Sequence, residues 1–102
     1  MEIVKELKNI SGVETVLVVD KTGIPAGFFD DKSSPEISAM TASLLGLGGY
    51  YMNKFGGEDL ECITMEGSKT QIFLFPYMDK VLIVSSKNMG LKEQILNIVR
   101  RS

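Results

Sequence analysis

The chain has 102 residues, contains no histidine and has a single cysteine, Cys62. Histidine is the commonest general base and a common metal ligand, so its absence removes most familiar kinds of catalytic and metal site. One cysteine cannot form a disulfide within the chain, and we therefore expect a reducing, cytoplasmic location. We predict that the protein is not an enzyme and has no catalytic residues, no cofactor and no bound metal ion.

The chain also lacks an excess of basic residues and any long apolar run. Its 11 basic and 13 acidic residues give a net charge of -2, which disfavours general binding to nucleic acid. No apolar stretch reaches the roughly 20 residues that span a bilayer, so we predict no membrane segment. We expect no signal peptide, because no basic segment is followed by an apolar run near the start. The length predicts one globular domain over residues 1–102.

The chain does contain clear patterns for helices and strands. The predicted elements are a helix over 2–10, strands over 13–20 and 24–29, a helix over 35–55, strands over 60–66, 70–76 and 80–86, and a helix over 91–101. Short connections favour an antiparallel sheet, and the segments VLVV and IFLF need cover on both faces. We predict an α/β three-layer sandwich, in which a five-stranded antiparallel sheet has the long helix on one face and the two terminal helices on the other.

The start of the long helix has two interpretations. Ser33 with Glu36 matches a capping box, whereas Ser34 before Pro35 matches an N-cap residue followed by proline at the first helical position. The two interpretations differ by one residue, and both remain open. The pair Gly56-Gly57 predicts the end of this helix.

Three glycines, Gly46, Gly48 and Gly49, lie in the middle of the long helix. They do not match a dinucleotide-binding loop, which needs a preceding strand and a third glycine where this chain has Tyr51. They do not match a phosphate-binding P-loop, because no Gly-Lys-Ser/Thr sequence follows them. Each glycine inside a helix costs roughly 1 kcal/mol relative to alanine, so we interpret the three as sites of close backbone approach.

The long helix has two faces that are apolar or small. The face that we predict to lie on the sheet comprises Ile37, Met40, Thr41, Leu44, Leu47, Gly48, Tyr51, Met52 and Phe55. The second face comprises Ala39, Ala42, Ser43, Gly46, Gly49, Tyr50 and Asn53. Gly48 would allow contact with the chain's own sheet, whereas Gly46 and Gly49 would allow the approach of a second copy. Because two-fold pairing is the commonest form of assembly, we predict a homodimer.

The predicted strand over 60–66 lies at one end of the strand series and contains neither proline nor lysine. Edge strands in natural proteins are usually blunted by such residues or are paired. Acidic residues within and before this strand give it some protection through charge, so both an unpaired edge and edge-to-edge pairing with a partner stay open. The predicted dimer interface comprises Ala39, Ala42, Ser43, Gly46, Gly49, Tyr50, Asn53, Leu60, Cys62 and Thr64.

Local patterns along the chain resemble those of the roadblock (dynein light chain) family. The most specific pattern is ISGVETVLVVDKTGIPAG, from Ile10 to Gly27, in which a Gly-Val strand runs into Asp-x-x-Gly. A helix rich in alanine and glycine follows, and then IFLFPYMDKVLIV, from Ile72 to Val84, and MGLKEQILNIVR. With the element order, the resemblance covers essentially the whole chain, as a stand-alone domain of the prokaryotic type.

The resemblance implies a profilin-like sandwich with the sheet order 2-1-5-4-3. It also implies dimers that pair the long second helices and join the following edge strands into one continuous sheet. Members of the family regulate and scaffold Ras-like small GTPases, and some prokaryotic members stimulate GTP hydrolysis without an arginine finger. We therefore expect an interaction module whose partners are a second copy of the chain and a Ras-like small GTPase.

Two other kinds of binding module are alternatives. The same family contains adaptor subunits of cytoskeletal motors. A small-molecule sensor would hold an apolar ligand between the sheet and a helix layer, in a pocket lined by Phe28, Phe73, Phe75 and Tyr77.

An enzyme has little support from the sequence. The carboxylates of Asp30-Asp31 and of Glu58, Asp59 and Glu61 have no histidine beside them, and solvated loop charge is the usual state of such groups. No histidine can activate Cys62, which we interpret as a small buried hydrophobic residue. The neighbouring Ser85, Ser86 and Lys87 form a serine–lysine pattern that is common by chance.

Overall fold

In the computed structural model of the chain, residues 2–21, 35–88 and 90–102 are described in full and residues 25–28 by their backbone. The elements are helix α1 (Glu2–Lys8), strands β1 (Val13–Asp20) and β2 (Pro25–Phe28), helix α2 (Pro35–Tyr51) with a π-helical turn (Met52–Gly56), strands β3 (Ile63–Glu66), β4 (Gln71–Tyr77) and β5 (Lys80–Ser86), and helix α3 (Lys92–Arg101). Their order along the chain is the predicted one.

Several sequence-based predictions lie outside these residues. They are the carboxylate pair Asp30-Asp31, the alternative helix caps at Ser33 and Ser34, and the side chain of Phe28.

The described strands form one antiparallel sheet in the order β2-β1-β5-β4-β3, which is the order that the family resemblance implies. Strand β3 pairs with β4 from Ile63 opposite Leu74 to Glu66 opposite Gln71. The predicted start of this strand at Leu60 is therefore wrong. Leu60 lies against Gly48 of α2, so its side chain serves contact between helix and sheet and its backbone precedes the β3–β4 ladder.

One face of the sheet is covered by the two terminal helices. This first core contains alternate residues of three central strands, together with Leu91 just before α3 and apolar residues of α1 and α3: Ile3, Val4, Leu7, Val16, Val18, Phe73, Phe75, Leu82, Val84, Ile95, Leu96 and Ile98. Side chains point alternately to the two faces of a strand, so the intervening residues face the other way. They form a smaller second core of Leu17, Val19, Leu74, Val81 and Ile83, against which Leu45 of α2 packs.

These two cores confirm that the antiparallel sheet lies between helix layers. They also explain why the strand segments are apolar at successive positions. Each central strand supplies side chains to both layers, as strands covered on both faces do.

The turn between α1 and β1 depends on Gly12. Helix α1 ends at Lys8, two residues earlier than predicted, and Gly12 follows with a φ of +97°. A Cβ atom at this position would lie 2.8 Å from the Cβ of Asn88, and the carbonyl accepts a hydrogen bond from the N–H of Lys87. Glycine is needed because both the backbone conformation and the close approach exclude a side chain.

Candidate functional site

Helix α2 touches the sheet through a narrow strip of small and polar residues. Ser38 is 1% exposed and Thr41 is 4% exposed, and no other residue of α2 is buried to this degree. The Thr41 hydroxyl donates a 2.8 Å hydrogen bond to the carbonyl of Ile37, so the buried hydroxyl is satisfied within the helix. One turn further on, Leu45 packs on the second core.

The predicted orientation of this helix is therefore largely wrong. Of the residues predicted to face the sheet, Thr41 is buried and Gly48 contacts β3, but none of the large side chains is buried against it: Ile37, Met40, Leu44, Leu47, Tyr51, Met52 and Phe55 are all exposed. The sheet surface under the helix already carries bulky side chains such as Leu74 and Ile83. Small helix residues can approach such a surface more closely than leucine or tyrosine can.

The exposed residues Ile37, Met40, Leu44, Leu47 and Tyr51 form a row that we call the apolar stripe. Their spacing is three, four, three and four residues, which is the spacing of a seam between two helices. Leu47, near the middle of the row, is 60% exposed. Met40 and Tyr51 are likewise more than half exposed, whereas Ile37 and Leu44 are less so.

The three helix glycines have different surroundings. A Cβ atom on Gly48 would lie 2.9 Å from the Cδ1 atom of Ile63 and 3.2 Å from the Cδ2 atom of Leu60, which confirms its predicted contact with the chain's own sheet. A Cβ atom on Gly46 or Gly49 would meet nothing within 4 Å among the described residues. Their predicted contact with a second copy stays a prediction.

The other residues of the predicted small face are accessible to different degrees. Ala39, Ser43, Tyr50 and Asn53 are exposed, whereas Ala42 is half-buried. The side-chain amide of Asn53 donates a 3.2 Å hydrogen bond to the carbonyl of Gly49. The small face and the apolar stripe adjoin, so together they leave most of the outer surface of α2 without charge.

A groove of about 560 Å³ lies beside the N-terminal half of α2. Its floor is the part of the second face that α2 leaves open, formed by Leu17, Ile72, Leu74 and Ile83. Its wall is the apolar stripe at Ile37, Met40 and Leu44, and the mouth near the end of β3 carries Met65. The groove is a concave apolar surface of the size that binding sites have.

The C-terminal end of α2 carries exposed aromatic rings. The rings of Tyr51 and Phe55 stack with centroids 6.1 Å apart, and the ring of Tyr50 meets that of Tyr51 edge-on. Phe55 is 81% exposed and lies in the π-helical turn, which ends at Gly57 with a φ of +67°. We call Tyr51 and Phe55 the aromatic end of α2. No residue of the π-helical turn is buried.

The protein family follows from comparison with known proteins. The model of the Roadblock/LC7 domain matches residues 1–86. The chain belongs to the Roadblock/LC7 family. Among solved structures, a Roadblock/LC7 domain from Streptomyces avermitilis superposes with a TM-score of 0.79 at 15% identity, covering 98% of this chain and 88% of that one.

Two further structures share the roadblock fold. Myxococcus xanthus MglB has a TM-score of 0.73 at 19% identity, covering 98% of this chain and 81% of that one. The gliding protein MglB from Thermus thermophilus has a TM-score of 0.70 at 11% identity, covering 99% of this chain and 88% of that one. No curated protein sequence matches significantly. At these identities the structural similarities concern the fold alone.

The edge strand of this roadblock domain is unpaired on its outer side within the described residues. Of the residues predicted to join the interface there, Leu60 and Cys62 precede the strand and Thr64 is half-buried within it. Cys62 packs against the first core, on the far side of the sheet from α2. Any pairing at this edge would therefore use the backbone of β3 and the side chains of Ile63 and Met65.

The thiol of Cys62 is in a poor environment for a nucleophile. Burial raises its pKa above the ordinary value for cysteine, although a contact at 3.7 Å with the Thr64 hydroxyl partly opposes the shift. A raised pKa keeps the thiol protonated at neutral pH. Cys62 is half-buried beside the first core, so it is less buried than predicted.

The other residue types considered for chemistry have structural partners. The hydroxyl of Ser86, which is fully buried, donates to the carbonyl of Asn88 and accepts from its N–H.

The aromatic residues predicted to line a ligand pocket lie in or beside the first core. Phe73 and Phe75 stack in the first core with no exposed surface, and Phe75 and Tyr77 border a cavity of about 420 Å³ beside α3. Among the described residues, no cluster of acidic or thiol side chains is placed to hold a metal ion. None of the described helices is long and apolar enough to cross a bilayer.

Proposed function

We propose that this chain is a homodimeric cytoplasmic module that binds and regulates a Ras-like small GTPase. The observation that carries the proposal is the apolar stripe of α2, which exposes large side chains at the spacing of a helix–helix seam. Exposed apolar rows of this kind mark interaction surfaces in soluble proteins. The unpaired edge of β3 lies next to the same side of the helix.

Two copies related by a two-fold axis would cover both features. The stripes of the two α2 helices would pack together, and the two β3 edges would pair by backbone hydrogen bonds. The accessible small residues Ala39, Ser43, Gly46 and Gly49 flank this contact and are part of the proposed interface. A structure of the same fold, 12% identical with a TM-score of 0.73, is described as MglB with a tetrameric arrangement, which supports self-assembly in a protein of this shape.

Membership of the Roadblock/LC7 family supports a small GTPase as the second partner. The chain has two arginines, and both are held in ion pairs on α3, Arg100 with Glu61 and Arg101 with Glu6. Neither lies on α2. This arrangement favours scaffolding, or stimulation of GTP hydrolysis by ordering the GTPase's own residues, over insertion of an arginine finger.

Self-association is tested by sedimentation velocity at micromolar concentration. We expect a dimer, and a monomer would refute the proposed assembly. Gly46→Leu should weaken the dimer while leaving the circular dichroism spectrum unchanged, because a side chain there meets nothing within the chain. An unchanged dimer would remove the small face from the interface.

The GTPase partner is tested by titrating the protein against each Ras-like GTPase of the same genome, loaded with GTP analogue or GDP. We expect one of them to bind, with different affinities in the two nucleotide states. Hydrolysis rates with and without the protein separate activation from scaffolding. Absence of binding to every such GTPase in both states would refute this part of the proposal.

A small-molecule sensor is a second candidate, and the apolar groove beside α2 favours it. The two candidates differ in what the groove contains when the protein is assembled. In a sensor, an apolar ligand would bind there with the same affinity whether or not the chain is dimeric.

A further inference from the structure

The groove beside α2 and the aromatic end of the same helix are complementary in shape and chemistry. We propose that, in the dimer, the aromatic end of each α2 inserts into the groove of the other chain, so that two equivalent insertions lock the assembly. The inference rests on the proposed dimer and adds to it a specific occupant for the groove. The occupant is Tyr51 and Phe55 of the second copy.

Both features lie on one flank of the helix. Ile37, Met40 and Leu44 form the wall of the groove, and the same row continues through Leu47 to Tyr51. A two-fold axis perpendicular to the sheet, which would pair both the β3 edges and the stripes of α2, makes the two helices antiparallel. The C-terminal half of one helix then lies beside the N-terminal half of the other, where the groove is.

The position of α2 over β3 leads to the same arrangement. Gly48, one turn before the aromatic end, contacts Leu60 and Ile63 at the start of β3. Met65, near the end of β3, lies at the mouth of the groove. Antiparallel pairing of two β3 edges brings the start of one strand beside the end of the other. The aromatic end of one chain would thus come to the mouth of the groove of its partner.

The chemistry of the two surfaces also matches. The groove floor is aliphatic, and Phe55 at 81% exposure and Tyr51 at 59% exposure are the apolar rings available to fill it. Aromatic rings bury large apolar areas at interfaces, and a buried tyrosine hydroxyl needs a polar partner. The hydroxyls of Thr70 and Ser85 line the groove and can supply one.

The insertion is tested with two variants that remove opposite halves of the contact. Ser85→Trp fills the groove but leaves the aromatic end intact, and the double variant Tyr51→Ala with Phe55→Ala removes the aromatic end but leaves the groove open. Each variant alone would form a homodimer with no insertion, and we expect its dissociation constant to rise at least about tenfold. Met78→Ala is the control, because Met78 is 75% exposed on a turn away from α2 and should leave the dimer unchanged.

Mixing the two variants is the decisive measurement. The mixed dimer has one aromatic end facing one open groove, so it should form in preference to either homodimer. Preferential mixed dimers, detected by native mass spectrometry with one chain isotopically labelled, would support the insertion. A statistical mixture, or homodimers as tight as those of the unchanged chain, would overturn it while leaving the proposed dimer in place. A monomeric unchanged chain would instead refute the proposed dimer itself.

The fluorescent probe 8-anilinonaphthalene-1-sulfonate gives an independent readout of the groove. We expect little binding to the unchanged dimer, because the partner's rings fill the groove. We expect binding to the double alanine variant, in which the groove is open. Strong binding of the probe to the unchanged dimer, abolished by Ser85→Trp, would overturn the inference and favour the small-molecule sensor.

Discussion

The two faces of the sheet are formed by the same strands but are covered by helices in different ways. On one face, α1 and α3 cover the first core completely, and residues such as Phe73 and Leu82 have no exposed surface. On the other face, α2 touches a smaller core through Ser38, Thr41 and Leu45 and exposes its large apolar side chains. The first face is a closed interior, whereas on the second face the sheet residues are buried under a helix that exposes a row of large apolar side chains.

The outward sides of the helices show the same difference. Helix α3 buries Ile95 and Ile98 and exposes charged residues, as a helix at the surface of a soluble domain usually does. Residues 37–53, in α2 and the start of the π-helical turn, contain no charged side chain. Stability within the chain therefore comes mainly from the first face, while the exposed side of α2 is available for assembly.

The largest expected effect is a difference in the free energy of unfolding between a variant of the first core and a variant of the apolar stripe. Phe73→Ala in the first core should lower the free energy of unfolding by about 3–5 kcal/mol, because it leaves a cavity in a closed interior. Leu47→Ala on the apolar stripe should change it by less than about 0.5 kcal/mol in the monomer. Urea denaturation at protein concentrations below the dimer dissociation constant measures both. Similar losses in the two variants would mean that the second face is as closed within the chain as the first.

The next effect concerns assembly. Leu47→Lys places a charge in the middle of the apolar stripe and should raise the dimer dissociation constant at least about 30-fold, or about 2 kcal/mol. Met78→Lys is the matched control, since it puts the same charge on an exposed methionine of the β4–β5 turn. Sedimentation equilibrium measures the dimer dissociation constants of the two variants. Equal weakening by both variants would point to net charge and not to the stripe.

A smaller effect distinguishes two glycines of the same helix. Gly46→Ala should raise the free energy of unfolding of the monomer by up to about 1 kcal/mol, because alanine favours the helix and its Cβ atom meets nothing. For Gly48→Ala, the increase in the free energy of unfolding should be smaller than for Gly46→Ala by about 0.5–1 kcal/mol, because the new Cβ atom would push against Ile63. Urea denaturation at low protein concentration gives the ranking, and the reverse order would contradict the orientation of α2.

The smallest expected effect is a pH dependence of the free energy of unfolding, caused by the Cys62 thiol beside the first core. The pKa of the Cys62 thiol is raised by burial, so between the ordinary and the raised value the unfolded chain binds fewer protons than the folded chain. The free energy of unfolding should therefore fall as pH rises above the ordinary cysteine pKa of about 8.5. The difference between the unchanged chain and Cys62→Ala isolates this contribution. A difference that stays constant with pH would show that the thiol titrates alike in both states.

Much of the fold could be predicted from the sequence. The apolar runs in β1 and β4 required cover on both sides, and the structure supplies that cover from helices on both faces. The contact of Gly48 with the sheet was predicted correctly, and so was the burial of Thr41. These predictions succeeded because they depend on spacing along one element and on the close packing that glycine permits.

The candidate site was predicted only in part. The small residues of α2 were predicted to be an interaction surface, which stays a prediction, and the apolar stripe was assigned to the sheet on the assumption that the larger apolar row is the buried one. The spacing of Ile37, Met40, Leu44 and Leu47 was visible in the sequence and is also typical of a helix–helix seam. Periodicity shows that a face is apolar and does not say which neighbour covers it.

The element order, the strands that are apolar on both faces and the long helix without charge over most of its length all follow from the amino-acid sequence. The rotation of that helix about its axis, and with it the identity of the exposed face, depends on tertiary packing. Local preferences do not choose among rotations when apolar or small residues surround the helix. The rotation is selected by packing, because Ser38, Thr41 and Gly48 fit against a bulky sheet surface and the larger stripe does not.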